Sequence, residues 1–406
     1  MSKQMQDGMA EATRLTREGR LSEATALIQR PLEGFGVSHL GDSFNFAPQS
    51  GPGSEAPSPT PAPRVAPSRS GAKSPTLRLP PKPSRPPGRH RFTPPTSTPG
   101  NAPDPASAAG GRFLSRSYTG RSGTRAYKLY VPSGYTGQAV PLIVMLHGCT
   151  QNPDDFASGT RLNALAEEHT FLAVYPEQPQ NANMSRCWNW FKEADQQRDR
   201  GEPAIIAGIT REVREGYGTS GGQVYVAGMS AGGAMAAILG TAYPDLYAAV
   251  GVHSGLAPGA ARDLPSALSA MQRGGVGKSA PDRQATRTVP VIAFHGDRDT
   301  TVHPANAEHL LAHYGSTSGT IAEAIPTATA RQGQVPGGYA YTRHTRPDTE
   351  GRTIMERWTV HGLGHAWSGG SGSGSYTDPK GPDATAEMVR FFEQHRRPVA
   401  AGDPTG

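Results

Sequence analysis

Cysteine is nearly absent: Cys149 and Cys187 are the only two in 406 residues. Two thiols cannot make a multiply bridged scaffold or a cysteine zinc site. Charged and aromatic residues are also sparse, at 18% and 7%. No stretch approaches the roughly 20 consecutive apolar residues of a membrane-spanning helix. The first twenty residues, MSKQMQDGMAEATRLTREGR, lack the apolar core of about 7 to 15 residues that a secretory signal needs. Taken alone, they lead us to expect a cytoplasmic protein not exported by the usual route.

What the chain has in abundance is glycine and proline, 50 and 38 of them, and much of the proline falls in one place. Residues 41–111 run through PSPTPAPRVAPSRS and LPPKPSRPPGRHRFTPP, the texture of an extended, disordered linker with polyproline character. About eight Lys and Arg against about three Asp and Glu in this stretch account for most of the net charge of +6. The basic balance therefore belongs to a tether, and a nucleic-acid partner is not expected. Ahead of it, residues 1–40 place Met9, Ala12, Leu15, Ala24, Leu27 and Ile28 among charges, a pattern for one or two short amphipathic helices that cannot build a core. Residues 398–406 read as a flexible tail.

Between 112 and 397 short apolar runs alternate with helical periodicity. Strands are expected at 125–131, 140–146, 171–175, 223–227, 248–253, 289–294 and 353–360. Helices are expected at 153–168, 204–214, 231–242, 304–314 and 384–395. Such alternation predicts an α/β domain with a mostly parallel central sheet and helices on both faces.

The sharpest local signal is QVYVAGMSAGG, residues 223–233, an apolar strand running through Gly228, Met229, Ser230, Ala231 and Gly232 into a small-residue helix. This is G-x-S-x-G in the strand, turn and helix context of a nucleophile elbow, the signature of the α/β-hydrolase fold. Serine needs a base and a group to orient that base. The segment VPVIAFHGDRDTTV, residues 289–302, ends a strand and offers Asp299, with Asp297 as second choice. Near the end of the domain VHGLGHAW, residues 360–367, offers His365, with His361 as second choice. An oxyanion would need two donors. The backbone amide of Ala231 follows the nucleophile, and Cys149 lies in the loop LHGCTQ after an early strand. Thirteen histidines raise the question of metal, but their spacings match no zinc template. No metal or other cofactor is expected.

Taken in order, LHGCTQNPDDFA (146–157), CWNWF (187–191), GMSAGGAMA (228–236), HGDRDTTVHP (295–304) and GLGHAWSGG (362–370) resemble the poly(3-hydroxybutyrate) depolymerase family of esterases. That family includes feruloyl and acetyl-xylan esterases. The resemblance covers about residues 112–397. It implies a triad of Ser230, Asp299 and His365, oxyanion amides at Cys149 and Ala231, and a disulfide between Cys149 and Cys187. It also implies that Trp188, Trp190 and Trp367, which sit in motif loops, could line an acyl or polymer groove, and that the protein is extracellular. The expected activity is hydrolysis of a carboxylic ester through an acyl-enzyme, on hydroxybutyrate polymer or oligomers. Plant cell-wall esters are the alternative substrate, a peptidase on a similar fold is a rival chemistry, and a non-catalytic polymer-surface binding protein is the rival from another class.

Overall fold

The computed structural model describes residues 110–277, 289–316 and 329–397. The N-terminal helices, the linker up to residue 109 and the tail from residue 398 lie outside the described residues.

Five apolar runs form the centre of the sheet: β3 (Leu142–Leu146), β4 (Leu172–Pro176), β5 (Val224–Met229), β6 (Ala249–His253) and β7 (Val291–Gly296), with every residue buried. A strand covered on both faces needs apolar or small residues at nearly every position, which is why these read as unbroken runs. The other members are β1 (Arg112–Gly120), β2 (Gly123–Val131), β8 (Thr329–Gln334), β9 (Ala340–Pro347) and β10 (Thr353–Val360). The ten strands lie in the order β1-β2-β4-β3-β5-β6-β7-β10-β9-β8. From β4 to β10 the neighbours are parallel; antiparallel pairs finish both edges. A short parallel pair, β11 (Trp367–Ser368) and β12 (Thr377–Asp378), stands apart.

The helices are α1 (Pro153–Thr160), α2 (Leu162–His169), α3 (Gly201–Tyr217), α4 (Ala231–Ala242), α5 (Leu264–Arg273), α6 (Ala305–Ser316) and α7 (Ala384–Glu393). Alternation along the strands sorts the core into two layers. Leu142, Val144 and Leu146 pack in the layer that holds residues of α3, α4, α5 and α6. Ile143 and Met145 pack on the other face with Phe156 of α1, Leu162 of α2 and Phe391 and Phe392 of α7. Residues 231–240 of α4 are all buried, as expected of a helix apolar all round. Among the described residues no helix is long and apolar enough to cross a membrane.

Chain order reverses at β3: β4 is added on one side and β5 on the other. In such sheets the crevice opens at the carboxyl ends of the two strands flanking the switch point. The loops after β3 and β5 carry Cys149 and Ser230.

Three local departures have physical reasons. The helix expected over 153–168 is two helices, broken where Arg161 adopts φ 57°. The Arg161 guanidinium is bonded to the Gly369 carbonyl and Asp383, tertiary contacts that local propensity does not register. The outer strands β1, β8 and β9 were not expected, because none of their residues is fully buried and pairing rather than apolar alternation defines them. Helix α5 was also unexpected, although Asp263 and Ser266 form a capping box at its start, a start signal readable in sequence.

Candidate active site

Ser230 sits between β5 and α4 with φ 79° and ψ −112°, outside the regions a residue with a Cβ ordinarily occupies. Two bonds hold it there. Its N–H donates to the His253 carbonyl at 2.9 Å, and its carbonyl accepts from the Ala234 N–H at 2.9 Å. A Cβ on Gly228 would strike the Gly232 and Leu146 carbonyls, and one on Gly232 the Leu146 and His147 carbonyls. The two glycines of G-x-S-x-G are thus demanded by the close approach of helix to strands.

His365, in the loop after β10, places Nε2 3.0 Å from Ser230 Oγ. Its Nδ1 is 2.8 Å from Asp299 Oδ2. Asp299 follows β7 and is buried, and its Oδ1 accepts from the N–H groups of Thr301 and Val302 at 3.0 and 2.8 Å. Burial alone would raise this carboxyl's pKa. The electrostatic pull of the adjacent His365 and hydrogen bonds from His295 and His365 outweigh burial and hold it well below the usual carboxylate range. An ionised Asp299 can only accept, so His365 carries its proton on Nδ1 and turns the lone pair of Nε2 toward the serine hydroxyl. Asp297 and His361, the second choices, bond to each other at 3.0 Å, and His361 turns Nε2 to Thr342 Oγ1 at 2.8 Å.

Ala231 is the first residue of α4, so its N–H has no acceptor within the helix. Across the switch point, Gly148 packs against Ser230: a Cβ built on it would lie 3.7 Å from Ser230 Cβ. The loop that follows is heavily tied. His147 Nδ1 donates to the Gly148 carbonyl at 2.8 Å, and its Nε2 accepts from the Gln178 N–H at 3.1 Å. Gln151 Oε1 accepts from the Gly148 N–H at 2.9 Å. Burial pushes the His147 pKa down to about 4, so the ring is neutral and this one tautomer satisfies both partners. His253, pushed by burial down to about 3, accepts the Ser368 N–H on Nε2 at 3.0 Å and ties the histidine loop to β6.

Cys149 and Cys187 are joined by a disulfide. The segment beyond it is fixed by buried Glu202 of α3, whose Oε2 accepts from the Asn189 N–H and whose Oε1 accepts from Asn189 Nδ2. The three tryptophans fare differently. Trp188 is buried with its indole N–H on the His147 carbonyl at 3.1 Å. Trp367 is buried with its N–H on Thr385 Oγ1 at 2.9 Å and its ring stacked on His253. Both belong to the core. Trp190 lines the cavity beside Ser230.

That cavity, about 150 Å³, runs along Trp190, Phe191, Leu256 and Val302 and is walled by Leu264, Ala267, Leu268 and Met271 of α5. Its lining contains no Asp, Glu, Lys or Arg. Sequence reading missed the α5 wall, which the Asp263 capping box could have disclosed, and it missed Tyr376, which also lines the cavity and has no motif to mark it. Among the described residues no group of three or more His, Cys, Asp or Glu side chains could hold a metal ion.

The family model of the PHB depolymerase esterases matches residues 125–335, a span that includes Ser230 and Asp299 and ends before His365. Poly(3-hydroxyalkanoate) depolymerase C of Paucimonas lemoignei is 29% identical over 263 residues, 61% of this chain and 59% of that protein. The poly(3-hydroxybutyrate) depolymerase of Ralstonia pickettii is 27% identical over 284 residues, 65% of this chain and 56% of that protein. The chain thus spans less than two thirds of these two relatives. Feruloyl esterase B of Thermothelomyces thermophilus is 29% identical over 206 residues, 47% of this chain and 69% of that protein. Among solved structures, an acetyl xylan esterase from Aspergillus awamori superposes with a TM-score of 0.56 at 20% identity, over 70% of this chain and 100% of that one. That likeness concerns the fold.

Proposed function

Because the chain belongs to the PHB depolymerase family of esterases, we propose that it hydrolyses short carboxylic esters of hydroxyalkanoate type through a covalent acyl-enzyme on Ser230. The observation that carries this reading is the unbroken hydrogen-bond chain from Ser230 Oγ through His365 to ionised Asp299, opening on an apolar cavity.

The chemistry follows from the positions. Ser230 Oγ attacks the ester carbonyl carbon while its proton passes to His365 Nε2. Charge builds on the carbonyl oxygen, and the free amide of Ala231 with that of Cys149 supplies donors for it. The imidazolium is stabilised by Asp299. Collapse breaks the bond to the alcohol oxygen, which leaves with the proton from His365. A water molecule then repeats the sequence: it gives a proton to His365, attacks the acyl carbon, and Ser230 leaves with that proton.

Substrate class comes from the cavity. Apolar walls without formal charge suit a small alkyl-bearing acyl group, whereas a charged acyl group would lie there without a counter-charge. The test compares wild type with Ser230→Ala on p-nitrophenyl butyrate, 3-hydroxybutyrate oligomers, methyl ferulate and acetylated xylan. Turnover of the first two, lost in the variant, is expected. Ester turnover that survives Ser230→Ala would overturn the mechanism. Preference for ferulate or acetylated xylan would overturn the substrate class, and polymer binding without turnover would favour a non-catalytic adaptor.

A further inference from the structure

Tyr376 has φ 52°, a genuine outlier for a bulky aromatic. Its backbone is over-determined. The Trp367 N–H donates to its carbonyl at 2.6 Å, and the preceding Ser375 is clamped by Asp155, whose Oδ1 accepts the Ser375 N–H at 2.8 Å. Strain held in this way, at a residue lining the cavity, is the kind found at ligand-binding positions.

The hydroxyl of Tyr376 lies 3.2 Å from Thr150 Oγ1. Thr150 owns one proton, and it is committed to the Cys149 carbonyl at 2.6 Å, because a carbonyl can only accept. The proton between the two hydroxyls therefore comes from Tyr376. The chain runs in one direction, from Tyr376 to Thr150 to the Cys149 carbonyl, and it leaves Tyr376 Oη with only lone pairs to offer. Gln151, another polar side chain in the lining, is already engaged at both ends, with Gly148 on Oε1 and with Asp155 and Ser375 on Nε2. Ser185 and Thr301 also line the cavity.

We infer that Tyr376 is a specificity-determining residue that accepts a hydrogen bond from a free hydroxyl on the acyl group of the substrate; this rests on the esterase reading above. Inside a polyester every hydroxyl except the terminal one is esterified. A site that prefers an O–H donor on the acyl unit therefore favours the hydroxyl end of an oligomer, releasing one hydroxy acid at a time.

The test measures kcat/KM for matched p-nitrophenyl esters of 3-hydroxybutyrate, 3-methoxybutyrate and butyrate. One good hydrogen bond gives about a 3- to 10-fold preference for the hydroxy ester, with the methoxy ester no better than butyrate. Tyr376→Phe brings the hydroxy-to-butyrate ratio to about one. Thr150→Ala frees the Tyr376 proton and raises the methoxy ester relative to the hydroxy ester, and thermal melts verify that both variants fold. A wild-type ratio near one, a ratio unchanged by Tyr376→Phe, or a ratio abolished by Ser185→Ala instead would overturn the assignment. A methoxy ester as good as the hydroxy ester in wild type would do so too, since it would make Tyr376 a donor. These failures leave ester turnover and its loss in Ser230→Ala intact, whereas failure of the esterase reading removes turnover of all three esters or leaves it in Ser230→Ala.

Discussion

Nδ1 of His147 lies 2.8 Å from the carbonyl oxygen of Gly148, and that bond sets the direction of a group the imidazole does not touch. A trans peptide is planar, with its C=O and N–H pointing opposite ways. Fixing the Gly148 carbonyl therefore fixes the Cys149 N–H, the amide proposed as an oxyanion donor. His147→Phe removes the tether and is expected to lower kcat roughly 10- to 100-fold, somewhat less than outright loss of a donor, with KM within about twofold. His147→Asn, whose amide can still donate to Gly148, should recover a substantial part. Steady-state kinetics on p-nitrophenyl butyrate decide it, and a rise in KM at constant kcat would argue against the role.

The same ring makes stability depend on pH. His147 titrates at about 4 in the folded protein and near 6.5 when unfolded. Between these values the unfolded chain binds a proton that the native state refuses, so stability falls as pH drops from about 6.5 toward 4. His147 alone contributes on the order of 3 kcal/mol to that loss. His253, at about 3, adds to it in the same direction and extends it further into acid. Urea unfolding at pH 7.5, 6.0, 5.0 and 4.5 should show midpoints declining with pH. His147→Asn should flatten the profile, and an unchanged slope in that variant would refute the linkage.

The sequence offered Asp299 with Asp297 as second choice, two carboxylates only two positions apart, and the structure separates them by environment. Asp299 is buried under the N–H groups of Thr301 and Val302 and bonded to His365. Asp297 caps the Gly362 N–H and pairs with His361 at the surface. Asp299→Asn should cost about 10⁴-fold in kcat, since the amide favours the wrong imidazole tautomer. Asp297→Asn should cost less than about threefold. Equal losses in the two variants would mean that the acid has been misassigned.

The strands from β3 to β7 were legible because each is buried on both faces and so is written as an unbroken apolar run. Ser230 was legible because steric demand at Gly228 and Gly232 leaves a fixed signature around it. Tyr376 was not: its partner Thr150 is 226 positions away, and a glycine- and serine-rich loop brings the two together. The cores that enclose Trp188 and Trp367 were equally invisible, since a tryptophan in a motif loop reads the same whether it faces a ligand or Thr385. His147 looked like a loop-shaping residue. Its bond to Gly148 depends on ring direction, which sequence does not encode.

The disulfide between Cys149 and Cys187 joins residues 38 apart. A loop of that length restricts the unfolded chain by about 4 kcal/mol in the chain-entropy model, or a fall in Tm of roughly 8 to 16 °C when the bridge is lost. Its second effect is local, because Cys149 carries the amide proposed for the oxyanion and is anchored through the bridge to a segment held by Glu202. Cys149→Ser with Cys187→Ser should therefore lower both Tm and kcat. The kcat loss should persist at temperatures where circular dichroism shows the variant still folded. A dithiol reductant, which takes up the bridge as its own disulfide and leaves two thiols, should reproduce both changes in wild type and neither in the double variant. If Tm fell while kcat of the folded variant stayed at the wild-type value, His147 and Gln151 alone would suffice to hold the amide, and the bridge would serve stability only.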